Sequence, residues 1–255
     1  MTPVEPHLFY TGVVAQLYAP LRSIVPDPEP YARFIATSGQ PALELGCGTG
    51  DPLLDLRGRG LDIEGLDSSA DMLARCQSEA AGRGLDVVLH HQPMESMDLA
   101  RGYRSIFLAG PTFNLLADDD TARHALERVR AHLQPQGQAL IPLFLPAATP
   151  PEDLGRTREH TSPDGTCMRV TPIAEERDEF RRNQTTILRY ELITDHEDIV
   201  EERPWLLHWH TQAGFHRLAT EAGLAVRAVL RPDGTAATPT DQAFVFILAN
   251  PTSAA

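Results

Sequence analysis

Between Pro41 and Leu145, short apolar runs alternate with amphipathic stretches, a rhythm that predicts strands and helices in turn. PALELG at 41–46 predicts a first strand and 53–57 a short helix. LDIEGL at 61–66 predicts a second strand, followed over 69–82 by a helix whose Met72, Leu73 and Cys76 share a face. Residues 87–90 predict a third strand and YRSIFLA at 103–109 a fourth. A helix over 121–133 carries Ala125, Val129 and Leu133 at four-residue spacing. The turn Gln134-Pro135-Gln136-Gly137 ends it, and QALIPLFL at 138–145 predicts a fifth strand. The alternation predicts an α/β fold: a mostly parallel sheet with helices on both faces.

After residue 145 the rhythm changes. Residues 146–155 are rich in proline and alanine and read as a loop. Residues 166–171, 185–194 and 199–210 predict strands with no helix between them. Arg189-Tyr190-Glu191-Leu192 alternates polar and apolar, as a half-exposed antiparallel strand does. Beyond His210 the α/β rhythm returns: Thr211 caps a helix running to Gly223, and 225–230 and AFVFIL at 243–248 predict the last strands. The expectation is a single domain over 1–255, with a core of 1–150 and 211–255 and an antiparallel insertion at 151–210.

Composition narrows the field. The 255 residues are 42% apolar and 22% charged, enough to bury a core without disulfide or metal staples. All 22 basic residues are arginines, so Schiff-base and phosphate-loop lysine chemistry is excluded. A net charge of -13 with scattered arginines argues against a nucleic-acid partner. Cys47, Cys76 and Cys167 lack a paired spacing and read as reduced thiols, and no metal-binding spacing stands out. Met1–Tyr10 has no basic stretch followed by an apolar run, and no apolar segment reaches the roughly 18 residues of a membrane span. A cytoplasmic protein without membrane contact is expected.

The segment Glu44-Leu45-Gly46-Cys47-Gly48-Thr49-Gly50 carries the chemistry. A buried strand runs into three glycines at alternate positions and then a helix, so the backbone can turn sharply and lie against a ligand. Asp67 ends the next strand, 21 residues after Gly46, where an acid in nucleotide-binding sheets accepts hydrogen bonds from ribose hydroxyls. A dinucleotide fingerprint would want a third glycine at residue 51, which is Asp51. That carboxylate would repel a pyrophosphate, so a nicotinamide-dependent oxidoreductase is disfavoured. Glu44 is a lone carboxylate inside an apolar strand, and the cost calls for a cationic partner.

The E-x-G-x-G-x-G form resembles the glycine-rich motif of the class I methyltransferases, and the likeness spans nearly the whole chain. It implies a Rossmann-like seven-stranded sheet and binding of S-adenosyl-L-methionine, with S-adenosyl-L-homocysteine as product. The resemblance assigns Gly46, Cys47, Gly48 and Gly50 to the cofactor turn, and Glu44 to its methionyl end. Asp67 and Ser68 fall to the ribose, with Met72, Gln92, Pro93 and Met94 near the adenine. Ala109, at the end of the fourth strand, is also given to the cofactor side, and Tyr18 is expected to close over the methionyl end. The family's usual adenine-binding acid would fall at Pro93, which leaves Gln92, Glu95 or the backbone near Met94 for that role.

Methyl transfer needs positioning more than a fixed catalytic group, so the acceptor side must be read from the rest of the chain. A small-molecule acceptor of specialised metabolism is implied by the resemblance, with 151–210 as its cap. Thr112, Asn114, Tyr190 and Trp209 are the candidate acceptor contacts. His208 and His210, on one strand face, are the candidate proton-handling groups, with His91, Tyr190 and His160 as alternatives. A protein that binds S-adenosylmethionine without methylating would share every cofactor motif.

Overall fold

The computed structural model describes residues 9–22 and 25–251, so the reading of the first eight residues lies outside the described residues. Helices α1 (Val13–Leu21) and α2 (Glu29–Ser38) precede β1 (Ala42–Leu45). Then come α3 (Leu53–Gly58), β2 (Ile63–Asp67), α4 (Ala70–Gly82), β3 (Leu89–His91), β4 (Tyr103–Leu108), α5 (Asp119–His132) and β5 (Leu133–Phe144). The strands β6 (Arg158–Thr161), β7 (Cys167–Asp178), β8 (Asn183–Ile193) and β9 (Asp198–His208) follow one another without a helix. The chain closes with α6 (Gln212–Glu221), β10 (Ala225–Leu230) and β11 (Ala243–Ala249).

Two sheets result. The main sheet has seven strands in the order β10-β11-β5-β4-β1-β2-β3, parallel from β3 through β5, with β11 antiparallel to both its neighbours. β1 is buried at all four positions, as a central parallel strand must be. Helices α5 and α6 cover one face around Leu45, Ile106, Ile141 and Phe246. α2, α3 and α4 cover the other around Ala42, Ile63 and Phe107. Side-chain caps start three helices: Ser69 accepts from Met72 N–H, Asp118 from Thr121 N–H, and Thr211 from Gly214 N–H. Helical cover is incomplete on the α2 side, where a hollow of about 560 Å³ lies over β5 and β11 beside Tyr31, Phe34, Pro142 and Val245.

The second sheet is a four-stranded antiparallel meander, β6-β7-β8-β9. Its first strand, Arg-Glu-His-Thr, is exposed throughout and has no periodic signal, which is why the sequence reading passes over it. β7 runs on to Asp178, beyond the segment 166–171, because its polar second half pairs fully with β8. Likewise β5 begins at Leu133 rather than after the 134–137 turn, which is taken into the strand as an irregularity beside β4 with Gln136 at φ 61°. One packing relation was not foreseen. Helix α1 rests on the second sheet, with Val13, Val14, Leu17 and Leu21 against Val170, Tyr190 and Leu192.

Candidate functional site

The carboxyl ends of β1, β2 and β4 open into a cavity of about 390 Å³, within the roughly 300–1,000 Å³ of small-molecule sites. Its floor is the glycine turn. Gly46 and Gly48 have φ of 66° and 53°, in the left-handed region that glycine alone adopts without strain. A Cβ on Gly46 would meet Thr112 Cγ2 at 2.8 Å, and one on Gly48 would come within 3.3 Å of Met72 Cε. Gly50, at φ 99°, faces away from the cavity; a Cβ there would collide with Cys76 Sγ and Leu54. Its role is close packing of α3 on the turn.

Asp67 is held by the turn it faces. Gly48 N–H donates to its Oδ2 at 2.8 Å and Ser69 N–H to its Oδ1 at 2.8 Å, which fixes the carboxylate beside the cavity. Burial raises its pKa, and the backbone donors Ser69, Gly48 and Ser68 pull it back. Glu44 is 0% exposed, and neither carboxylate oxygen has a hydrogen-bond partner. Burial, then the charges of Asp51 and Asp67, push its pKa well above the carboxylate range; the Leu53 backbone N–H at the start of α3 opposes this without closing a bond. Cys47 is buried with its thiol pushed well up, which marks a packed thiol rather than a nucleophile.

Tyr10 and Tyr18 bring the amino-terminal segment over the cavity, their rings edge to face at 5.5 Å. Three bonds tie this segment to the cofactor-side motifs: Ser69 Oγ–H donates to Tyr10 O at 2.5 Å, Gly12 N–H to Asp71 Oδ2 at 2.7 Å, and Arg22 to Asp51 at 2.5 Å. Ser68, Met72, Pro93, Met94, Glu95 and Thr112 line the walls, along with Leu115, Leu116, Ala117 and Thr121. Among the described residues no arginine or histidine lines the cavity. Glu95 faces it, whereas Gln92 closes a local turn, its amide bonded to both the N–H and the carbonyl of Asp98. Leu115, Leu116 and Ala117, before α5, and Thr121, in its first turn, were missed in the sequence because only the pairing of β1 with β4 brings them to the turn.

Several expected site residues stand elsewhere. Ala109 packs with the α2-side core. Asn114 is fully buried, and its amide donates to the carbonyls of Phe144 and His208 at 3.0 Å each while its Oδ1 accepts from Phe144 N–H. It joins the ends of β5 and β9 rather than meeting a ligand. Tyr190 lies under α1, its phenol pushed up to about 12 by burial. Trp209 is buried beneath the Arg177 guanidinium, 4.2 Å from its ring centre.

His208 and His210 are 2% and 1% exposed and do not line the cavity. Their rings meet edge to face at 4.7 Å, and both approach Asp119. Burial, then the neighbouring His208, lowers the pKa of His210 to about 3. The strand that ends at His208 enters the core at the foot of α5, so the structure places the pair away from the cavity beside which a proton-handling role was expected. Of the alternatives, His91 bonds the Ser68 carbonyl at 3.0 Å and His160 lies on exposed β6.

With this geometry in view, comparison with known proteins is informative. Residues 42–137, from β1 into β5, match the family model described as a methyltransferase domain. The dTDP-3-amino-3,6-dideoxy-alpha-D-glucopyranose N,N-dimethyltransferase of Streptomyces fradiae is 31% identical over 53% of this chain and 55% of its own length. The match thus spans about half of that relative. The CcbJ methyltransferase of Streptomyces caelestis superposes with a TM-score of 0.77 at 19% identity, over 96% of this chain and 99% of that one. CalS10, an amino pentose methyltransferase of Micromonospora echinaspora involved in calicheamicin biosynthesis, gives 0.65 at 21% identity, over 94% and 97%. At those identities the two structures speak to the fold, insertion included. No described helix is long and apolar enough to cross a membrane.

Proposed function

We propose that this chain, a member of the class I S-adenosylmethionine-dependent methyltransferases by its domain and fold, moves a methyl group from S-adenosylmethionine to an amine on a small, sugar-like acceptor. The observation that carries the cofactor assignment is the partnerless buried carboxylate of Glu44, two residues before the glycine turn, together with Asp67 on the cavity wall. A ligand with both a cationic end and ribose hydroxyls answers both needs. The glycine cradle, which a Cβ would crowd, leaves room for that ligand's backbone contact.

When bound, S-adenosylmethionine supplies a methyl on a sulfonium, already activated for in-line displacement. Glu44 would balance the cationic end, Asp67 would accept from the ribose hydroxyls, and Met72 and Met94 would flank the base, with Glu95 on the same wall. Tyr10 and Tyr18 exclude water from above, and Thr112 borders the acceptor side. This chain is asked to hold two reactants in line, which can be worth about 7–11 kcal/mol of barrier. A neutral amine attacks without a general base, in keeping with walls that carry no imidazole. The Streptomyces fradiae relative and CalS10, both named for action on amino sugars, favour this acceptor class.

Calorimetry with S-adenosylmethionine, S-adenosylhomocysteine and NAD tests the cofactor, with binding of the first two and not the third expected. Tritiated-methyl incorporation across a panel of amino sugars, their nucleotide-linked forms, phenols and carboxylates tests the acceptor. Labelling confined to phenols or carboxylates would overturn the amine reading. Tight cofactor binding without any labelling would favour a binding protein that does not transfer.

A further inference from the structure

We propose that Asp119, His208 and His210 form a binding site for one divalent transition-metal cation of the Zn²⁺ type, which fastens the second sheet to the main domain. The inference is independent of the methyl-transfer reading. The residues come from two sides of a junction: Asp119 is the first residue of α5, His208 ends β9, and His210 lies two residues further. One ligand atom from each, two imidazole nitrogens and a carboxylate oxygen, lie within 4.8 Å of one another. Asp119 Oδ1 is 2.9 Å from His208 Nε2 and 3.3 Å from His210 Nδ1. Donors on one tetrahedral ion with bonds of about 2.0–2.1 Å stand roughly 3.3 Å apart, so little movement is needed to admit it.

A second observation points to a ligand. His210 is almost wholly buried and turns its Nδ1 to the cluster. His208 is oriented as a metal-binding imidazole is. Its Nδ1 lies 2.7 Å from Asn183 Oδ1, an acceptor, so Nδ1 carries the hydrogen and Nε2 turns its lone pair to Asp119 Oδ1. Two lone pairs cannot face each other across that gap without a cation between them, either a proton or a metal. Asp119 is half exposed, which opens a path for entry and a place for water as fourth ligand. Arg182 engages the other carboxylate oxygen, Oδ2, leaving Oδ1 to the cluster. Two imidazoles with one carboxylate favour Zn²⁺, Co²⁺ or Fe²⁺ over Mg²⁺ or Ca²⁺, which prefer all-oxygen sites.

The test uses the full chain, stripped with chelator and titrated with Zn²⁺ and with Co²⁺. One ion per chain should bind by calorimetry, raise the thermal midpoint and, for Co²⁺, give the visible spectrum of a four-coordinate ion. Asp119→Asn should abolish these effects, and Asn183→Ala should weaken binding about 10–100-fold, both with S-adenosylhomocysteine affinity unchanged as the control for folding. Absence of binding to the parent chain, or undiminished binding in Asp119→Asn, overturns the proposal and leaves a proton-bridged network. Should Asp119→Asn fail to fold, X-ray absorption on the Zn²⁺-loaded parent decides. Two imidazoles with oxygen ligands support the site, and sulfur in the coordination shell overturns it.

Discussion

The glycine turn between β1 and α3 and the four-stranded insertion both bear on one cavity, yet they reach it in different ways. The turn touches it directly: Gly46 and Gly48 form its floor, and Asp67 is fixed by a backbone N–H from that floor. The insertion contributes none of the cavity's lining residues. It supports α1, which carries Tyr18 and follows Tyr10, the two tyrosines that cover the site. A chain segment that binds a ligand through its own backbone is constrained residue by residue. One that acts through an intermediate helix need only keep an apolar face. Because 151–210 packs against α1, its removal is expected to disturb the seating of Tyr10 and Tyr18 as well as acceptor turnover.

The largest expected effect breaks the turn. Gly46→Val would place a branched side chain at positive φ against Thr112 and should abolish S-adenosylhomocysteine binding in calorimetry. If the folded variant binds like the parent, the floor of the cavity is not the ligand's seat. Next, Asp67→Ala should weaken binding by about 1.5–3 kcal/mol, the range for hydrogen bonds to a charged group. Part of that loss would come from Gly48 N–H losing its acceptor, so Asp67→Asn, which keeps one carbonyl oxygen, should fall between the two.

The insertion side predicts a different kind of loss. His208→Ala removes bonds to Asn183 and Asp119 at the junction and should lower stability by about 1–3 kcal/mol, read by denaturant titration. The rate–pH profile of the folded variant should keep the parent's shape. Disappearance of an acidic limb would return the imidazole to the chemistry and contradict its placement in the core.

Why one side was legible and the other was not follows from where each signal lives. Three alternate glycines, a strand-end acid and a lone buried glutamate lie within 24 residues, and each has a local backbone reason that shows in the sequence. The β-α alternation and the Thr211 cap are local in the same sense. His208, Trp209 and His210 look like a substrate-facing triplet only while their strand is assumed to end at the open edge. Asn114 brings the ends of β5 and β9 together, across 94 residues to His208, and this contact takes the triplet into the core. Likewise nothing near Val13 or Leu17 announces that their partners are Val170 and Tyr190. Polarity marks each residue as notable; the pairing of distant segments decides what it meets.

The smallest expected effect is a pH dependence from Glu44, read as the difference between the parent and Glu44→Gln, because the buried His210, held near 3, adds a slope of opposite sign below about 6.5. Burial raises the pKa of Glu44 above its unfolded value of about 4.3. Between that value and the raised one, the folded chain holds a proton that the unfolded chain has released. The contribution of Glu44 to the unfolding stability of the ligand-free protein must therefore fall as pH rises through this window, by at most about 1.4 kcal/mol per pH unit, and level off above the raised value. A cationic ligand opposite Glu44 favours the carboxylate, so binding in the window expels a proton. Affinity for S-adenosylmethionine should then increase with pH by up to about tenfold per unit, flattening where Glu44 is already ionised. Glu44→Gln, which cannot titrate, should remove this component from both curves. Thermal midpoints measured against pH with and without ligand test this directly. Identical slopes in the parent and in Glu44→Gln would mean that the buried carboxylate does not face the cofactor's charge.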